Sequence, residues 1–271
     1  MYLQDNLSIN LNALKTMKTI ISIIFLSVLF SACQKEKVKS PFHDGIAWTG
    51  SNDIANYLAM KGIGYLENVE REKAYVIFEE AVQLDSSLFA CHTALAMLSR
   101  GEKRDYHKMM AKKYVEGKNE TSRLFVSLLD IERDSTAAEK WAAVWAKMHE
   151  ISDGPFIHFR YATSRSDTTE VLQELDKLEA RLSELKMNTG HIHNIRGYIM
   201  SYQGDIMGGA NEIEKYMELY PEGYNPLDSR AEFYLIAGDT ATAIEYYKKA
   251  VNKFPFATSA RNSLEALTKN N

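Results

Sequence analysis

Two Gly-Asp pairs, Gly204-Asp205 and Gly238-Asp239, stand 34 residues apart, and so do the prolines Pro221 and Pro255. Across the same offset Gly197 matches Ala231 and Gly209 matches Ala243. Three independent features sharing one period identify a repeat. A repeat of this length is a supersecondary unit that buries its apolar face only by stacking on a neighbour. The chain must therefore grow as an array rather than around one core. The spacing extends upstream, with segments starting near Phe89, Thr121, Pro155, Gly190 and Tyr224, at intervals of 32, 34, 35 and 34 residues.

Each segment reads as two amphipathic helices. In the third, Leu124, Leu128 and Ile131 make the stripe of the first helix. After Asp134-Ser135, the residues Ala138, Trp141, Ala142, Trp145 and Met148 make the stripe of the second. In the fourth, Val171, Leu175, Leu178, Leu182 and Leu185 recur at steps of 4, 3, 4 and 3, a single apolar seam. No stretch alternates apolar and polar residues long enough for a strand. From Thr258 onward, Ala260, Leu264 and Leu267 share one face and polar residues the other, which suits a helix covering the last exposed repeat.

The last unit, residues 224–257, resembles the tetratricopeptide repeat (TPR). At that family's positions it holds Leu227, Arg230-Ala231, Tyr234, Ala243, Tyr247, Ala250 and Pro255, and only Arg230 departs. Residues 55–88 match through Leu58, Gly62, Tyr65, Ala74, Phe78 and Ala81, with Lys61 and Ser86 departing. Small residues allow the two helices of a hairpin to cross closely, and large ones fill the space around the crossing. The resemblance implies an all-α, right-handed α-solenoid of about six TPR-like hairpins over residues 51–257, with a capping helix over 258–271. It also implies a concave groove for a protein or peptide partner. Carried onto this chain, the groove positions are His191, Asn194, Tyr198 and Ser201 in the penultimate repeat, and Asn225, Asp228, Glu232 and Leu235 in the last. In the first they are Asn56, Ala59, Ile63 and Leu66, so the groove is expected to be polar toward its C-terminal end and apolar toward its N-terminal end.

The N-terminal region has a different logic. Ile20 to Phe30 reads IISIIFLSVLF, preceded by Lys18 and followed by Ser31-Ala32-Cys33. A basic residue, a short apolar run and small residues are the layout of a signal peptide. The run falls well short of the ~20 apolar residues that span a bilayer as a helix. Leu29-Phe30-Ser31-Ala32-Cys33 resembles the lipobox of bacterial lipoproteins, which implies lipid attachment at Cys33. Gln34 after it implies the outer membrane. The expected organisation is an upstream extension over 1–16, a lipoprotein signal peptide over 17–32 and a tether over 33–50.

Composition narrows the function. There are 32 Lys+Arg against 36 Asp+Glu among 271 residues, a net charge of −4, which excludes a strongly basic nucleic-acid binder. With Cys33 lipidated, Cys91 is left as a lone thiol in an apolar run and reads as packing. No phosphate-binding loop, nucleophile elbow or zinc-protease motif occurs. His191 and His193, two apart, face different sides of a helix, and His107, His149 and His158 are isolated in sequence. No catalytic residue, metal or cofactor is expected. Trp141 and Trp145 share a helix face, as packing or as a stacking platform. Tyr216, Tyr220 and Tyr224 read as a repeat junction whose hydroxyls need partners. The expected protein is a lipid-anchored TPR scaffold or adaptor of the bacterial cell envelope, not an enzyme, and not a nucleic-acid binder. The alternative is a ligand-binding accessory lipoprotein for nutrient (glycan) uptake.

Overall fold

A computed structural model of the chain describes residues 45–269. The signal peptide, Cys33 and most of the tether lie outside the described residues. Those described form thirteen α-helices and no strand. Six hairpins follow in order. They are α1 (Asp53–Glu67) with α2 (Arg71–Leu84), α3 (Phe89–Leu98) with α4 (Gly101–Tyr114), and α5 (Glu120–Ser127) with α6 (Ala137–Ile151). Then come α7 (Pro155–Thr163) with α8 (Thr168–Glu184), α9 (Gly190–Tyr202) with α10 (Ile206–Leu219), and α11 (Asn225–Ile236) with α12 (Thr240–Lys253). The helix α13 (Thr258–Lys269) packs on α12 as the cap. The fold is an all-α, TPR-like solenoid. Among the described residues no helix is long and apolar enough to cross a membrane.

The Gly-Asp period has a local cause. Gly204 and Gly238 adopt φ of +94° and +82°, a left-handed conformation that favours glycine at a helix end. The next residue's N–H then bonds back to the carbonyl five residues earlier, Asp205 to Met200 and Asp239 to Tyr234. The two aspartates cap the following helices, accepting from the N–H groups of Gly208 and Thr242 at 2.8 and 3.0 Å. Hairpin 1 repeats this turn with other residues. Val69 takes the glycine's place at φ +60°, and the Glu70 N–H bonds to the Tyr65 carbonyl at 2.8 Å. Glu70 stands where aspartate stands in the other two, but its side chain does not cap α2.

Glycines also set the helix crossings. A Cβ on Gly209 would lie 2.6 Å from the carbonyl oxygen of Gly197, so α9 and α10 touch through backbone. A Cβ on Gly62 would enter the Phe78 ring at 2.5 Å, whereas one on Gly64 would meet nothing within 4 Å. Gly209→Ala is therefore expected to destabilise by about 1–3 kcal/mol through overpacking. Gly64→Ala should stabilise by about 0.5–1 kcal/mol through helix propensity. Urea unfolding of the two variants checks the pair, and equal effects would refute the crossing argument.

The last residues assigned to the tether run into the core instead. Ile46 and Trp48 are both 1% exposed. Thr121 Oγ1 and Asn119 Nδ2 each donate to the Gly45 carbonyl at 2.6 Å, and the Ala47 N–H donates to Ser122 Oγ at 3.1 Å. The Trp48 ring lies 6.1 Å from Phe78, 5.4 Å from Phe125 and 5.4 Å from Phe156, so one side chain ties hairpins 1, 3 and 4 together. In hairpin 3 the buried residues are Phe125, Val126, Leu128 and Leu129, while Leu124 and Ile131 are only partly buried. The helix α5 tightens into a 3-10 turn at Leu128–Asp130, which shifts the angular phase away from 3.6 residues per turn. In the α8 seam Val171, Leu175, Leu178 and Leu182 are buried, and Leu185, just past the helix, is exposed. Cys91 is fully buried, and burial pushes its thiol pKa up, as suits a packing residue.

Candidate groove and its closure

At the C-terminal end, Asn194 and Tyr198 of α9 and Asn225, Asp228 and Glu232 of α11 border one cavity of roughly 330 Å³. Ser229 Oγ donates to Asn194 Oδ1 at 3.0 Å, and Tyr216 Oη lies 3.2 Å from Asn225 Oδ1. The Tyr198 hydroxyl donates to the Glu232 carboxylate. Asp228 is 4% exposed, and its buried Oδ1 has no hydrogen-bond partner. Burial, reinforced by Glu232, raises its carboxyl to about 7. The cavity thus offers an unmet acceptor beside a second carboxylate, a setting that favours a donor such as an amide or a basic group.

Three residues expected in the groove do not border this cavity. His191 is buried edge-on against Phe159, with ring centroids 4.7 Å apart. Its Nε2 has no partner, and burial lowers its pKa to about 3. Leu235 packs with the core of the last hairpin, and Ser201 is half-buried. In hairpin 1, Ala59 and Ile63 are fully buried.

The opposite wall of the cavity comes from the far end of the chain: Val69, Arg71 and Glu72 of hairpin 1. Glu70, fully buried, fixes this closure. Tyr220 Oη donates to its Oε2 at 2.9 Å, the Tyr224 and Asn225 N–H groups donate to Oε1 at 2.5 and 3.4 Å, and Lys73 Nζ lies 2.8 Å from Oε2. Tyr216 Oη donates to the Asn68 carbonyl at 3.1 Å. Glu72 accepts from Tyr224 Oη at 2.5 Å and from the Thr258 N–H at 3.1 Å. The three tyrosines do sit at a repeat junction, and their hydroxyls find partners about 150 residues away in sequence.

Beyond Val69 and Arg71 lies a second cavity of roughly 300 Å³, walled by Phe125, Trp141, Trp145, Phe156 and Phe159. The turn of hairpin 1 is thus a partition bordering both cavities. The polar groups of the second are Glu67, Arg71 and Arg160. Arg160 lies 5.6 Å over the Trp145 ring, and the buried Trp145 Nε1–H has no partner. Glu67 is 7% exposed; burial pushes its carboxyl up to about 8, against the opposing pull of Arg160.

Folding also groups histidines that are scattered in sequence. His92 Nδ1 meets His107 Nδ1 at 2.9 Å, and His107 Nε2 lies 3.3 Å from Glu79. His193 sits between Glu212 at 2.7 Å and Glu179 at 3.1 Å. His149, His158 and Glu174 bring one ligand atom each within 4.8 Å of one another. These groupings join neighbouring helices, so no i, i+4 spacing announces them.

No family model matches the chain, and no curated protein matches it. Among solved structures, a chain of the APC/C hetero-tetramer Cut9-Hcn1 is similar over 78% of this chain and 42% of its own length, at 12% identity and a TM-score of 0.47. This chain therefore spans less than half of that protein. PilW, a widely conserved type IV pilus biogenesis factor, is similar over 79% of this chain and 100% of its own, at 12% identity and a TM-score of 0.43. The assembly chaperone of RpL4 (Acl4) covers 83% and 85%, at 12% identity and a TM-score of 0.32.

Proposed function

We propose that this chain is a lipid-anchored scaffold or adaptor of the bacterial cell envelope. It holds a protein or peptide partner in the C-terminal cavity and performs no catalysis of its own. The carrying observation is the convergence of Asn194, Tyr198, Asn225, Asp228 and Glu232 on one cavity with an unmet buried acceptor. The occupant best suited is an extended segment presenting an amide or a basic side chain. The Ser31-Ala32-Cys33 sequence supports attachment at the outer membrane through Cys33. The test uses the anchored full-length chain as bait on membranes, beside Glu232→Lys and Cys33→Ser. A partner captured by the parent should be lost by Glu232→Lys, and fatty-acid labelling should be lost by Cys33→Ser. Unchanged capture with Glu232→Lys would refute the groove, and retained labelling would refute the anchor.

One observation favours a second reading, a ligand-binding accessory lipoprotein for glycan uptake. Trp141 and Trp145 both wall the aromatic cavity, where a sugar ring could stack. Quenching of tryptophan fluorescence by soluble oligosaccharides would support this reading over the first.

A further inference from the structure

The helices α6, α7 and α8 converge on a cluster that neither cavity uses. His149 lies in the last turn of α6, His158 in α7 and Glu174 in α8. The two imidazole centroids are 4.7 Å apart at an interplanar angle of 31°, and His158 Nε2 is 3.0 Å from Glu174 Oε2.

We propose that His149, His158 and Glu174 form a site for a divalent transition-metal ion of the zinc class, with one coordination position left open.

Two imidazoles and a carboxylate are a donor set that zinc takes in three-ligand sites with an open fourth position. An ion with bonds of about 2.0–2.2 Å needs its donors about 3.3–3.5 Å apart in tetrahedral geometry. The Glu174–His158 pair already stands at 3.0 Å, and all three ligand atoms lie within 4.8 Å. Binding would require the three donors to draw together by about 1 Å from their widest separation.

A second observation is independent of the spacing. The Nδ1 of His149 is buried without a hydrogen-bond partner, and burying such an atom unsatisfied is unfavourable. Of the other described histidines, His191 also keeps an unpartnered nitrogen, Nε2, but its ring packs edge-on against Phe159, whereas the remaining ones are engaged. His92 engages the Ser86 carbonyl and His107, His107 reaches Glu79, and His193 bridges two carboxylates.

The surroundings suit an ion. Lys177 occupies the other Glu174 oxygen at 2.6 Å, which leaves Oε2 facing His158. Tyr161 stacks on the His149 ring at 4.4 Å and 17°, fixing its plane. Arg181, the nearby cation that would compete, is held by Asp153 at 2.8 Å. His149 is only half-buried, which gives an ion a way in.

The test is titration of the purified, chelator-treated full chain with Zn²⁺ by calorimetry, and with Co²⁺ by visible absorption. The expected result is one ion per chain at micromolar affinity or tighter, with a Co²⁺ spectrum of four- or five-coordinate type. His149→Ala and Glu174→Gln should each weaken binding by about tenfold or more, while His107→Ala should leave it unchanged. His149 is half-buried, so its alanine variant should remain folded by circular dichroism even where His158→Ala does not. No saturable binding, or binding that His149→Ala and Glu174→Gln leave intact, would overturn the proposal.

Discussion

Glu70→Ala is expected to destabilise the protein by about 3–5 kcal/mol, the range for removing one partner of a buried ionic cluster. The carboxylate is fully buried. Its loss strands the Tyr220 hydroxyl, the Tyr224 N–H and the Lys73 ammonium at once, and each buried group left unpaired carries its own desolvation penalty. Glu70→Gln keeps the volume and an accepting oxygen, so it should lose only part of this. Tyr220→Phe removes one hydrogen bond and should lose about 1 kcal/mol. Chemical unfolding with the midpoint and slope recorded for each variant is the measurement. If Glu70→Ala were no worse than Tyr220→Phe, the closure would not depend on the carboxylate.

A second large effect concerns pH. The Glu67 carboxyl stands at about 8 in the folded chain, against 4.5 as its ordinary value, because it is buried. Between those values the folded state holds a proton that the unfolded state has released, so stability falls as pH rises. Asp228, raised to about 7, acts in the same direction up to that pH. The buried histidines act the other way: His191 at about 3 and His92 at about 4 add stability as pH rises to their ordinary value near 6.5, and nothing beyond it. The profile should therefore crest near neutrality and decline on the alkaline side. From pH 6.5 to 8 the Glu67 share of that decline is about 2 kcal/mol. Glu67→Gln should flatten the alkaline limb and steepen the acid limb above pH 4.5, where Glu67 no longer offsets the histidines. Melting temperatures taken across pH 5–9 for both proteins decide it, and parallel curves would refute the assignment.

The hairpins were legible because their boundary signals are local. Helices begin at Phe89, Pro155, Gly190 and Thr258, where the period and the apolar phase place them. What the sequence hid is what depends on long separation. Nothing in the spacing of Glu70 and Tyr220 links them, although three tyrosines crowding one proline, each needing a hydroxyl partner, was a usable signal. Ile46 and Trp48 were masked by polar neighbours with a proline and two glycines. The apolar triplet Ile46-Ala47-Trp48 at the end of the tether segment was the clue to its burial. The 3-10 turn at Leu128–Asp130 breaks the 3.6-residue arithmetic, so Leu129 is buried where the helical period points to Ile131. His149 and His158, nine residues apart, became neighbours only because their two helices pack together.

The meeting of Glu70 and Glu72 with Tyr220, Tyr224 and Thr258 changes what kind of lattice this array is. An open solenoid is one-dimensional, each unit is coupled only to the next, and its ends fray before its middle. Here the first hairpin also touches the units at the other end, so it has neighbours on both sides, as an internal unit does. Opening it requires breaking the Glu70 cluster as well as the interface with α3. Amides of α1 and α2 should then exchange with solvent about as slowly as those of central hairpins, and the array should melt as one cooperative block.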